Sequence, residues 1–151
     1  MSAASRKSQG KLHKSRKIPI ISEEKKAGKD PTFLSANPER VLTVLTWGSS
    51  NHSFAKPPDS QRNFNVCGVS YKGQSKGLDL SKLRGDMDEL YRRISGSDRF
   101  DTFVRNIVNV IEQNDLRCIS INCSKGRHRS RAVARAVHEQ YPKSVVRHLD
   151  S

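Results

Sequence analysis

Residues 117–140 read RCISINCSKGRHRSRAVARAVHEQ, and the fold turns on this stretch. Arg117 to Asn122 has the length and alternation of a strand. Alternation puts Ile119, Ile121 and Cys123 on one face, and Cys118 with Ser120 on the other. Arg129 to Gln140 reads as a helix with Val133, Ala136 and Val137 facing inward. Between them lies Cys123-Ser124-Lys125-Gly126-Arg127-His128-Arg129-Ser130. A strand, a tight loop and a helix in that order mark the place where open α/β sheets bind ligands. Such a loop points backbone N–H groups inward, and the helix N-terminus adds about half a positive charge. Gly126 allows a bend that a side chain would obstruct. Arg129 can clamp an anion through two parallel hydrogen bonds, and Ser130 offers a hydroxyl at the helix start. With Ser124, Lys125, Arg127 and His128 completing it, the segment reads as a phosphate cradle.

The rest of the chain supplies the sheet around it. Val41 to Trp47 reads as a buried strand, ended by Gly48 and a polar loop through Pro57-Pro58. Phe64 to Val69 reads as a second strand, followed by a Gly/Ser/Lys-rich loop from Tyr71 to Leu80. Met87, Leu90, Tyr91 and Ile94 recur at helical spacing, and so do Phe100, Phe103, Val104, Ile107 and Ile111. Asp98 or Asp101 is placed to cap the second of these helices. Ser144 to Leu149 makes a last short strand. Strands separated by helices imply an α/β fold: a small, mostly parallel sheet with flanking helices and an anion-binding strand–loop–helix. Cys118 and Cys123 point to opposite faces, so no metal is assigned, and no cofactor is expected. Gly68 to Ser75 mimics a phosphate-binding Walker loop by spacing, but Gln74 stands where the essential Lys would be.

Charge separates the chain into two parts. Lys plus Arg number 28 against 15 Asp plus Glu, a formal net charge of +13 over 151 residues. Residues 1–20 hold six basic side chains (Arg6, Lys7, Lys11, Lys14, Arg16 and Lys17) and no acid. Residues 1–39 therefore read as a basic tail, disordered on its own because it cannot bury enough apolar surface to offset its ordering entropy. Residues 40–151 read as the folded domain. No run of about 18 apolar residues exists, so no membrane-spanning helix is expected, and the start lacks the apolar region of a secretory signal. Three cysteines at irregular spacing do not make a disulfide framework. The expectation is an intracellular protein, cytoplasmic or nuclear ahead of mitochondrial, whose partners are polyanions.

Two resemblances meet at the loop. Cys123, five residues, then Arg129-Ser130, with Gly126 third after the Cys, resembles the signature loop of cysteine-dependent protein phosphatases. That resemblance implies Cys123 as nucleophile and Arg129 as the clamp on the phosphate oxygens. Its usual preceding His is Asn122 here, and Asp79, Asp86, Asp88, Asp98 and Asp101 leave the general acid open. The same letters resemble the C-terminal domain of the RNase adapter protein RapZ family. Gly126, His128, Arg129 and Ser130 match its loop, while Asn122 and Lys125 stand at two of its Gly positions. This second likeness extends over residues 41–151, through Trp47-Gly48, Phe64-Asn65-Val66, Leu83 with Gly85, and Val146 to Asp150. It departs where the family's Asp-x-Arg pair falls on Asn65 and Cys67.

The RapZ-like resemblance implies binding of RNA and of an amino-sugar phosphate. Residues 116–151 hold eight Lys or Arg against Glu139 and Asp150, which extends the basic character beyond the tail. The expected function is accordingly an RNA- or phosphorylated-ligand-binding module, a candidate component of a ribonucleoprotein. The six tail cations with Arg131, Arg135, Arg147 and His148 form its expected RNA-contacting set. The alternative is a phosphatase.

Overall fold

Parallel strands cannot be joined by a tight turn, so each neighbouring pair here is brought together from distant parts of the sequence. The computed structural model describes residues 35–70 and 83–150. The tail cations Arg6, Lys7, Lys11, Lys14, Arg16 and Lys17, the Tyr71–Leu80 loop with Asp79, and most of the Walker-like stretch lie outside the described residues. In chain order the elements are β1 (Thr43–Gly48), one 3-10 turn (Ser49–Asn51) and β2 (Arg62–Asn65). Then come α1 (Asp88–Ser95), α2 (Phe100–Asn114), β3 (Cys118–Cys123), α3 (Arg129–Gln140) and β4 (Val145–His148). The sheet order is β2-β3-β1-β4, and every pairing is parallel. The expected small α/β fold is therefore present, and among the described residues the sheet is wholly parallel with three flanking helices.

Register decides which residues meet the helices. Val44 aligns with Ile119 and Thr46 with Ile121, while Phe64 aligns with Ile121 from the other side. Val44, Phe64, Ile119 and Ile121 join Leu90, Ile94, Phe100, Val104, Ile107, Ile111, Val133, Ala136 and Val137 in one buried core. Burying an aliphatic side chain of this size contributes about 1.5–3 kcal/mol, so this layer supplies the main driving force for folding. The opposite face is polar at its centre. Trp47 Nε1 donates to Asn63 Oδ1 at 2.8 Å, Asn63 Nδ2 donates to Asn122 Oδ1 at 2.8 Å, and Ser120 Oγ bonds both Asn63 and Ser60. His52 and Phe54 stack on one another over Trp47, so the 49–61 segment covers this ladder.

Two expectations need correction in detail. The second strand begins at Arg62 and ends at Asn65, earlier than the Phe64–Val69 reading. The Asn65 side chain accepts the Cys67 N–H at 2.9 Å, and that local bond turns the chain out of the sheet. Neither Asp98 nor Asp101 is the cap of α2: Arg99 takes the N-cap position without a side-chain bond, and Asp101 lies in the first turn. There its charge complements the helix dipole. At the other end of α2, Asp115 adopts a left-handed φ of 52°, a conformation usually left to Gly.

That strained cap is held by a largely shielded Arg40–Glu112 pair with the exposed Asp115 at its rim. Arg40 binds Glu112 through two nitrogens at 3.0 and 2.9 Å, and Asp115 at 2.7 Å. Tyr141 donates its hydroxyl to Glu112 at 2.6 Å, and the Asn37 N–H adds a further bond. Burial pushes the Glu112 carboxyl up, but Arg40, Tyr141 and the Asn37 amide outweigh it and hold its pKa below the ordinary glutamate value. A carboxylate lowered by folding stabilises above its unfolded pKa and loses that contribution as pH falls through the folded one. Glu112→Gln should therefore lower unfolding stability by about 2–4 kcal/mol at neutral pH. The gap to the parent protein should narrow below about pH 4, as chemical denaturation at a series of pH values will show.

Candidate functional site

A trans peptide holds its C=O and the following N–H on opposite sides, so turning a carbonyl outward turns the next amide inward. In the loop after β3, four successive carbonyls are each held by a donor from outside the loop. The Ser124 carbonyl accepts from the Ser50 amide at 3.0 Å and its hydroxyl at 2.7 Å. The Lys125 carbonyl accepts from Asn51 Nδ2 at 3.0 Å. The Gly126 carbonyl accepts from Arg131 Nε at 3.0 Å, and the Arg127 carbonyl from the Gly85 amide at 2.5 Å. Of the amides that follow these carbonyls, those of Gly126 and His128 are directed at the Cys123 thiol, as is that of Ser130 at the start of α3, and Ser130 Oγ lies 3.4 Å from its sulfur.

Glycines make the loop fit its surroundings. Gly126 has φ +76°, and a Cβ there would stand 2.6 Å from the Gly48 nitrogen. A Cβ on Gly48 would meet the Lys125 carbonyl carbon at 2.3 Å, and one on Gly85 the His128 oxygen at 1.6 Å. Backbone therefore packs on backbone at three points. His128 Nε2 also donates to the Leu83 carbonyl at 2.9 Å, which fixes the 83–85 segment against the start of α3.

The expected site residues divide into two groups. Cys123 to Ser130 come together as one cradle, with Ser124 and Lys125 exposed, Arg127, His128 and Arg129 half-buried, and Ser130 buried. Arg129 Nη1 donates to the Cys67 carbonyl at 2.6 Å, while its Nε is shielded from solvent and has no hydrogen-bond partner. Arg131 does not lie on the surface as expected. It is 4 % exposed, and its guanidinium joins the Gly126 carbonyl, the Asp150 carbonyl and the Asp86 carboxylate. Arg135 pairs with Asp88 at 2.9 Å and lies 4.0 Å over the Tyr91 ring, so it binds α1 to α3. His148 turns to Thr46 Oγ1 at 2.7 Å and Asp86 Oδ2 at 3.4 Å, and burial together with Arg131 lowers its pKa. Arg147 is exposed on the face of the sheet opposite the helices, aligned with Leu45.

No protein-family model matches the chain, and no curated protein matches it. The site therefore rests on its geometry.

Several of its supports carry no signal in the sequence. Ser50 and Asn51 belong to a polar loop, and nothing in their spacing ties them to residues 124–125. Asp150 accepts the Gly48 amide at 2.8 Å and pairs with His52 at 2.9 Å, which secures the strand end on which the loop rests. Of the acidic candidates, Asp86 lies beside the loop through Arg131, whereas Asp88 is engaged with Arg135. Among the described residues no cluster of His, Cys, Asp and Glu is arranged to hold a metal ion.

The cradle changes the chemistry of its cysteine. Burial pushes the Cys123 thiol up, but the Ser130 hydroxyl and the amides of Ser130, Gly126 and His128 outweigh it, leaving the pKa below the ordinary thiol value. The thiolate absorbance lost on Cys123→Ser should accordingly titrate below about pH 8.5. Ser130→Ala should move that midpoint upward. Gly126→Ala should cost about 2 kcal/mol or more of stability, since it puts a side chain on a left-handed backbone facing Gly48. Denaturant unfolding measures it.

Proposed function

We propose that this chain is a phosphate-binding module in which the Cys123–Ser130 loop takes the phosphate of an RNA or of a phosphorylated small molecule. The observation that carries the reading is the set of outward carbonyls with amides converging on one point. A ring of N–H donors at a helix N-terminus favours an anion over any neutral group. The unpartnered Arg129 Nε supports it, because a shielded guanidinium nitrogen gains a bond when a phosphate oxygen arrives. The basic segment Arg6 to Lys17 and the net charge of +13 favour RNA as the source of that phosphate, through counterion release. An amino-sugar phosphate follows only from the resemblance to the RapZ C-terminal domain, whose Asp-x-Arg pair is missing here. No membrane partner is proposed, and among the described residues no helix is long and apolar enough to cross a bilayer.

A second reading is favoured by one observation: the Cys123 thiol stands at the focus of the cradle amides, with Ser130 Oγ 3.4 Å from its sulfur. A Cys-dependent phosphatase would use it by attack of the Cys123 sulfur on phosphorus with loss of the P–O ester bond. Water would then displace the sulfur and release inorganic phosphate. Arg129 would hold the equatorial oxygens, and Ser130 would stabilise the departing thiolate.

Two substitutions separate these readings. Arg129→Ala should weaken binding of inorganic phosphate by about 10–100-fold in calorimetry, since a charge-assisted bond is worth about 1.5–3 kcal/mol. On the binding reading Cys123→Ser retains affinity, and no phosphate is released from an aryl phosphate by the parent protein. On the phosphatase reading the parent protein releases phosphate and Cys123→Ser stops it. Phosphate binding that Arg129→Ala leaves unchanged overturns both.

A further inference from the structure

Sheets built only from parallel strands are ordinarily covered on both faces. Here the helices cover one face, and the 49–61 segment that covers the centre of the other carries two stacked rings. The His52 and Phe54 centroids lie 4.7 Å apart with planes inclined by 16°, and the Trp47 ring stands 6.0 Å from the first and 5.0 Å from the second. Trp47 is buried, whereas His52 and Phe54 are half-buried and neither belongs to the apolar core. An aliphatic side chain would cover Trp47 and Asn63 as well. A flat stack that reaches solvent offers in addition the aromatic face on which a nucleobase stacks.

The stack is fixed to the wall of the cradle. Asn51, which precedes His52, donates Nδ2 to the Lys125 carbonyl at 3.0 Å. The Asp150 carboxylate meets His52 Nε2 at 2.9 Å, accepts the Gly48 amide at 2.8 Å, and borders Gly126. One carboxylate thus separates the His52 ring from the loop backbone. Cations flank the rings. Lys125 is exposed on the loop, Lys56 is exposed two residues after Phe54, and Arg147 is exposed on the same face of β4. Among the described residues no carboxylate is paired with any of the three. Lys56 and Arg147 both act on the Cys118 thiol, where Asp59 opposes them.

We propose that this face binds single-stranded RNA, with bases stacked on His52 and Phe54 and phosphates against Lys125 on one side and Lys56 and Arg147 on the other. The proposal rests on the RNA reading of the cradle and extends it: a strand with one phosphate in the Cys123–Ser130 loop passes over Lys125 to the rings. A duplex does not fit, because its bases are stacked on one another and are not free to lie on a side chain. An acidic peptide would satisfy the cations and leave the ring faces without a partner.

Phe54→Leu tests this, since it keeps an apolar cover over Trp47 and removes the ring. In the full-length protein it should weaken binding of a short oligoadenylate on the order of tenfold. Binding of inorganic phosphate, and of the duplex that the oligoadenylate forms with oligouridylate, should stay unchanged. Arg147→Gln should reduce the salt dependence of oligoadenylate binding by about 0.7 in the log–log slope, which Phe54→Leu leaves as it is. Unchanged oligoadenylate affinity in Phe54→Leu overturns the proposal, while phosphate binding keeps the cradle. An equal loss for single strand and duplex also overturns it, because the ring would then act through the fold. A parent protein that binds phosphate but no oligoadenylate ends the RNA reading and this proposal together. Absent phosphate binding beside a tenfold oligoadenylate effect strikes the cradle and keeps the ring platform.

Discussion

Four successive carbonyls, those of Ser124, Lys125, Gly126 and Arg127, are turned away from the Cys123 thiol, and each is tied to a different residue. The donors come from the turn after β1, the segment ahead of α1, and α3. No one of these elements could impose the loop shape alone. An isolated loop would trade its inward amides for water, because converging N–H dipoles repel one another. The surrounding fold supplies the compensation by satisfying the other end of each peptide. The close packing of Gly48, Gly85 and Gly126 serves the same end, since these donors reach the loop only where no side chain intervenes.

Much of this was legible in the sequence, and for identifiable reasons. Alternation in Cys118–Cys123 and helical spacing in Arg129–Gln140 gave both elements that flank the loop, and the helix boundaries agree residue for residue. Strand β2 lies earlier than its apolar content indicates, because apolar content marks a strand's middle, while its end here is set by the Asn65 side chain and the Cys67 amide. The cradle was legible as a cluster of residue types in the right place. Its supports were not, because Ser50, Asn51 and Asp150 become neighbours of the loop only through parallel pairing over long sequence separations.

Charge was the least transparent feature. Eight basic residues after Leu116 suggest a continuous positive surface, yet Arg131 is consumed inside the molecule by carbonyls and Asp86, and the half-buried Arg135 is engaged with Asp88 and Tyr91 of α1. A guanidinium on a helix can serve solvent, a ligand or the helix's own neighbours, and its spacing alone does not distinguish them. Arg131 contributes to the cradle all the same, from behind, by holding the Gly126 carbonyl. The basic character of the domain surface is therefore narrower than its composition suggests.

The order β2-β3-β1-β4 also has a consequence for how the molecule is made. Strand β1 is the first to be synthesised and lies inside the sheet, but its neighbours are residues 118–123 and 145–148. During translation it must wait, with Val44, Leu45 and Trp47 unburied, until most of the domain has left the ribosome. A chain of such high contact order folds slowly and exposes unpaired strand edges in the interval. Nascent β1 is thus the segment most in need of a chaperone, and the cradle is among the last features to form, because it requires all of those neighbours at once.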